Sequence, residues 1–239
     1  MKTAVIMGVG PERGVGGQLC LRFAAEGLHV IAAGRTQASL DAIVETITAQ
    51  GGSAEACVAD ATIEGDVIRL FDRAGDNLDV AVYNAGNNTP GRISEMEASY
   101  FETAWRVVCF GGFLFGRETV RRLEAANKGG TLLFTGASAS LRGRPSFGAF
   151  NSAKGALRNL AQAMAKEYGA QGIHVGHIVI DGPVAGDKII KRWPERAAEM
   201  GEDRMISIEG IVDAYVYLYR QPRRAWTFEV DVRTSLETW

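Results

Sequence analysis

The stretch GVGPERGVGG, Gly8 to Gly17, follows the apolar run AVIM and opens the amphipathic run QLCLRFAAE. A glycine-rich turn after a strand lets the backbone come close to a pyrophosphate. The helix that starts behind it offers N–H donors and the positive end of a dipole. Gly8, Gly10, Gly14 and Gly16 are the candidate lining residues. The competing reading is a tight strand-to-helix turn with no ligand. Context favours the ligand, because the cluster ends the first strand and opens the first helix, where the mechanism needs it.

Outward from that turn, short β-rich apolar runs alternate with longer helical patterns, which argues for βα units and a parallel sheet. Strands are expected near Ala4–Met7, His29–Ala33, Ala54–Val58, Val80–Tyr83, Thr131–Thr135 and Val175–Ile180. The last of these, in GIHVGHIVI, has the β-branched content of a strand buried on both faces. Helices are expected over Val15–Glu26, Ser39–Ala49, Gly65–Ala74, within Tyr100–Ala126, and over Ser152–Tyr168. In that last helix Leu157, Leu160, Ala161 and Met164 fall on one apolar face. The fold expected is α/β, a doubly wound Rossmann-type parallel sheet with helices on both faces. Residues 1–239 are expected to form a single dinucleotide-binding domain, with a short lid at about 183–205 that carries Lys188, Lys191, Arg192 and Trp193. A solvated helix face explains those lid residues equally well.

Composition narrows the function classes. An apolar fraction of 46% and a net charge of −2 fit a soluble globular protein and give no basic surface for nucleic acid. Cys20, Cys57 and Cys109 stand far apart, so neither a disulfide framework nor a zinc knuckle is indicated. His174 and His177, three apart on a strand, point to opposite faces and have no evident carboxylate partner, so no metal site is expected. MKTAVIM lacks a cleavage pattern after its apolar run, and no apolar run nears the roughly 18 residues of a membrane span. A cytoplasmic protein without a membrane partner is expected.

At the end of the second strand, AAGRT puts Arg35 where an acid would hold the ribose hydroxyls of NAD, and Arg13 lies inside the glycine loop. Two guanidiniums near the ribose favour a 2′-phosphate, so NADP(H) is expected ahead of NAD(H). The alternative is a pair of solvated surface arginines.

Taken together, Gly10-x3-Gly14-x-Gly16, Asp60 after the third strand, Asn84-Ala85-Gly86 after the fourth and the FxxxK segment resemble the short-chain dehydrogenases/reductases from about residue 3 to 183. The resemblance implies that Asp60 meets the adenine, although it could equally help start the next helix with Thr62. It implies that the Asn84 segment borders the cofactor, and that the chain works as a homodimer or homotetramer on a small-molecule substrate.

The same resemblance implies a tyrosine for proton transfer, a lysine that lowers its pKa, a serine that orients a carbonyl and an asparagine in the long helix. Here Phe150 stands at the tyrosine and Lys154 at the lysine, Ala137 at the serine with Ser138 beside it, and Cys109 at the asparagine. Asp181 replaces a proline that faces the nicotinamide, while Gly182 is kept. Lys154, Asp181 and Ser138 are therefore the candidates for proton transfer, and Phe150 marks the lost acid. Two functions follow. One is an NADP(H)-dependent oxidoreductase with a rearranged site. The other is a silent cofactor-binding protein acting as sensor or partner subunit, and the enzyme is preferred. A nucleophilic Cys109 is set behind a buried small hydrophobe.

Overall fold

The computed structural model describes residues 1–239 apart from Asn87, Thr89, Arg192 and Trp239. Arg192, one of the expected lid cations, thus lies outside the described residues. Among the described residues seven strands form one sheet in the order β3-β2-β1-β4-β5-β6-β7. They are β1 (Thr3–Met7), β2 (His29–Gly34), β3 (Ser53–Val58), β4 (Leu78–Tyr83), β5 (Gly130–Thr135), β6 (Ile173–Ile180) and β7 (Glu229–Val232). Every neighbouring pair is parallel. The chain crosses from β3 back to β4 beside β1, so the order reverses between β1 and β4. Ligands bind at such a reversal, beyond the carboxyl ends of the strands.

Parallel strands need helical crossovers, and these cover both faces of the sheet. On one face pack α1 (Val15–Ala25), α2 (Gln37–Ala49) and α9 (Ile208–Tyr219), through Leu19, Phe23, Leu40, Ile43, Ile211 and Tyr215. On the other pack α3 (Glu64–Ala74), α5 (Gly111–Ala125) and α6 (Gly148–Tyr168), through Leu70, Phe71, Phe115, Leu157 and Ala161. Alternation along β6 sends Ile173, Val175 and His177 towards α6 and Ile178 and Ile180 towards α9, as the strand period of two dictates.

Two stretches depart from the expected pattern. The long helix begins at Ala98 as α4 (Ala98–Trp105) and passes into α5 through a π-helical turn, Arg106–Phe110. The wider turn leaves a carbonyl to spare, and the Tyr83 hydroxyl, reaching over from β4, donates to the Val107 oxygen. A Cβ on Gly111 would collide with that hydroxyl and lie 3.0 Å from the Ala61 oxygen. α6 starts at Gly148, a turn earlier than expected, so Phe150 sits inside its first turn.

Between β6 and α9 the expected lid contains α7 (Asp187–Ile190) and α8 (Pro194–Met200). Its start is tied to the glycine loop, because the Asp187 N–H donates to the Arg13 carbonyl at 2.9 Å. α9 had no counterpart among the expected helices. Ser207 caps it, accepting from the Gly210 N–H at 2.9 Å. Among the described residues no helix is long and apolar enough to cross a membrane.

Candidate functional site

The glycine loop leaves β1 at Gly8, whose φ of 95° lies where L side chains are strained. A Cβ there would stand 2.5 Å from the Ala85 nitrogen, so the loop and the Asn84-Ala85-Gly86 segment pass each other as closely as backbones can. Asn84 braces three elements at once. Its N–H donates to Met7 O at 2.8 Å, its Nδ2 to Gly8 O at 3.1 Å, and its Oδ1 accepts from the Thr135 hydroxyl at 3.0 Å. A Cβ on Gly16 would stand 2.6 Å from the Gly8 oxygen, which fixes the pitch of α1 against β1.

Above the loop the arrangement suits a dinucleotide. α1 begins with Gly14 at its cap, so no side chain satisfies its first N–H groups, and the space over Gly10 is open. Arg13 and Arg35 are both exposed on this rim. Asp60 carries one of the two roles expected for it, the start of the next helix with Thr62. Its Oδ1 accepts from the Thr62 N–H at 2.8 Å and the Thr62 hydroxyl at 2.7 Å, an Asx turn that leads into α3. Partial burial raises its pKa, but the two Thr62 bonds and the fields of Arg35 and Arg106 outweigh that and hold the carboxyl below its usual range. An ionised Asp60 thus faces Arg35 across the ends of β2 and β3.

The expected reaction centre gathers around Lys154. Its ammonium is 4% exposed, donates to the Thr135 carbonyl at 2.5 Å and lies 5.8 Å from the centroid of the Phe150 ring, within cation–π reach. Burial pulls its pKa down from 10.5 to about 8, with a smaller push from Lys188. Gly86 faces the same spot. A Cβ on it would lie 3.7 Å from Lys154 Nζ and 3.8 Å from Val108 Cγ2. The long helix presents Val108 here, next to Cys109. Cys109 itself is half-buried with its thiol pKa raised by burial, which leaves it protonated and unreactive.

Ala137 and Ser138 enter the short 3-10 turn Ser138–Ser140 that follows β5. The Ser138 carbonyl accepts from the Leu141 and Arg142 N–H groups, and its hydroxyl makes no hydrogen bond to another described residue. Asp181, at the end of β6, is 2% exposed and carries two guanidiniums: Arg142 Nη2 donates to its oxygens at 2.9 and 3.2 Å, and Arg233 Nη1 lies 3.5 Å away. A carboxylate so compensated exerts little net field on a neighbouring ring. Gly182 follows it, against Ile206.

One sequence expectation needs correction. His174 and His177 do point to opposite faces, but His177 has a carboxylate partner: its Nδ1 lies 2.9 Å from Glu229 Oε2. The partner comes from β7, 52 residues on, and the parallel register that sets His177 beside Glu229 is the signal that pairing of the last strand would have supplied. Sequence reasoning also missed Tyr215, whose buried hydroxyl lies 2.5 Å from that of Thr135. Among the described residues no three His, Cys, Asp or Glu side chains gather as a metal site would require.

Fold and glycine loop together define a Rossmann-type α/β domain. The family model of the short chain dehydrogenases matches residues 2–191, and the chain belongs to that family of oxidoreductases, whose members bind NAD(P)(H). It is 34% identical over 207 residues to the uncharacterized oxidoreductase YuxG of Bacillus subtilis, a match that takes in 84% of this chain but 30% of that protein. A short-chain dehydrogenase from Rhodopseudomonas palustris is 35% identical, superposes with a TM-score of 0.83, and is matched over 98% of its length and 97% of this chain. A 7α-hydroxysteroid dehydrogenase solved with NADH and 7-oxo glycochenodeoxycholic acid is 25% identical at a TM-score of 0.87, matched over 98% of this chain and 93% of that one.

Proposed function

We propose that the protein is an NADP(H)-dependent oxidoreductase whose reaction site has been rebuilt around Lys154. The bound cofactor supplies or accepts the hydride. Gly8, Gly10, Gly14 and Gly16 admit its pyrophosphate to the start of α1, and Ala85 and Gly86 leave room beside it. Arg13 and Arg35 favour the ribose 2′-phosphate, while Asp60 remains for the adenine. Phe150 has no proton to transfer. Lys154 does, and the observation that carries the reading is its buried ammonium, poised at about 8 instead of 10.5. A group titrating there is about nine-tenths protonated at pH 7 and gives up its proton far more readily than an ordinary lysine, as an acid–base catalyst should. Lys154 gives its proton to the substrate atom that becomes more basic during reduction, and takes one back during oxidation. Ser138, its hydroxyl bonded to no other described residue, orients the same atom.

The chain acts on a small molecule and assembles as a homodimer or homotetramer. Phe101, Trp105 and Phe113, between 39% and 44% exposed on α4 and α5, leave an apolar surface for that. The test is equilibrium titration with NADP⁺, NADPH, NAD⁺ and NADH, followed by tryptophan and cofactor fluorescence, with Arg35→Ala as control. Micromolar binding of the phosphorylated pair, weakened at least tenfold in the control, is expected. Equal affinity for both pairs would remove the NADP(H) assignment, and no binding at all would remove the cofactor-dependent reading.

A further inference from the structure

Behind the reaction site lies a chain of buried and half-buried polar groups that proton transfer at Lys154 does not use. Arg158, on α6, grips Glu229 with two bonds, Nε to Oε2 at 2.6 Å and Nη2 to Oε1 at 2.8 Å. That grip is the main cause of the low carboxyl pKa of Glu229, so the group is ionised and only accepts. The His177 Nδ1, 2.9 Å from Oε2, must then carry the ring hydrogen. His177 is fully buried, and burial pushes its pKa down to about 4 against the pull of Glu229, so the ring is neutral and Nε2 is a lone pair. Facing Nε2 at 3.4 Å is the Ser140 hydroxyl, which therefore donates to it. The same oxygen accepts the Ala137 N–H at 3.2 Å. Each link fixes the direction of the next.

The imidazole also accounts for a glycine. Gly136, where the chain leaves β5, cannot carry a Cβ because the His177 ring fills that space. The ring thus supports from below the turn that contains both Ala137 and Ser138. The order serine–histidine–carboxylate resembles that of hydrolytic triads, but Ser140 is 9% exposed and engaged at both lone pair and proton. Its hydroxyl is committed inward, whereas that of Ser138 bonds to no other described residue.

We propose that His177, held by Glu229 and Arg158, is a positioning residue that locks the Ala137–Ser140 turn through Ser140, so that Ser138 is the serine presented to the reaction site. The positioning role rests on the oxidoreductase reading; the lock itself does not. Displacement of a reacting group by about 1 Å can cost about 10²-fold in rate, which is what such a support prevents.

The lock is tested on the free protein. With ¹⁵N-labelled histidine, magnetic resonance is expected to find His177 as the neutral Nδ1–H form from pH 8 to pH 6. An Nε2–H form, or an imidazolium in that range, overturns the proposal. Ser140→Ala is expected to speed amide exchange at Ala137 at least tenfold while Leu133, inside β5, changes less than twofold. Unchanged exchange at Ala137 overturns it too. Glu229→Gln keeps an acceptor for Nδ1–H, and Glu229→Ala does not. Turnover with NADPH should fall at least tenfold in kcat for Glu229→Ala, with cofactor affinity within twofold of the parent, and should recover substantially in Glu229→Gln. Equal kcat in all three refutes the positioning role. Absence of turnover in the parent protein refutes the oxidoreductase reading and the positioning role with it, while tautomer and exchange still decide the lock.

Discussion

Replacing Lys154 by methionine removes a buried charge while keeping most of the side-chain volume, and its effect on stability should depend on pH in a calculable way. The folded state holds the lysine at a pKa of about 8 against an ordinary 10.5. Below pH 8 both folded and unfolded chains are protonated, and folding bears the full penalty of burying the ammonium, about 3 kcal/mol at about 1.36 kcal/mol per pKa unit. Between the two pKa values the unfolded chain binds more protons, so stability of the parent rises with pH. Integrated from pH 7 to 9.5, that gain is about 2 kcal/mol. The donor lost by the Thr135 carbonyl adds a cost of about 1–3 kcal/mol that is common to both pH values and drops out of the comparison. Other titrating groups are shared by the two proteins and cancel likewise. Urea unfolding of parent and Lys154→Met at pH 7 and 9.5 measures the difference. The parent should gain about 2 kcal/mol on the variant across that interval. A gap that stays constant within about 0.5 kcal/mol would mean that Lys154 titrates normally, and the case for it as acid–base group would fail.

Restoring the family's acid and serine together, as Phe150→Tyr with Ala137→Ser, should raise reduction of generic carbonyls by about 10²–10⁴-fold, the usual worth of a positioned general acid; no gain would mean that the pocket no longer admits such substrates. Gly8→Ala combines a left-handed backbone with a Cβ 2.5 Å from the Ala85 nitrogen, and the two penalties together should cost about 2–4 kcal/mol in urea unfolding. A loss below about 1 kcal/mol would contradict the close approach of the two loops.

Much of the frame was legible because its signals are local. The strands announced themselves as β-branched runs, and the glycine loop as a cluster placed between periods of two and 3.6. Position alone marked Asp60, Asn84 and Lys154. What stayed hidden depends on partners far away in sequence: Glu229 lies 52 residues from His177, Tyr215 lies 80 from Thr135, and Arg142 lies 39 from Asp181. The guanidiniums around Asp181 stayed hidden for that reason. α9 was missed because IEGIVDAYVYLY is rich in β-branched and aromatic residues, which suit a strand as well as a buried helix. Its Ser207 cap was the available clue. The π turn at Arg106–Phe110 has no sequence signature beyond Gly111, whose missing side chain makes way for Tyr83.

The measurement closest to the central claim is the pH dependence of single-turnover NADPH oxidation with carbonyl and activated-alkene acceptors, in the parent and in Lys154→Met. The account predicts a rate that falls as pH rises through about 8, where the lysine gives up the proton it must donate, and no such titration in the variant, whose rate is at least about 10²-fold lower. A parent rate flat across pH 8, or a variant that keeps the parent's rate, would contradict it.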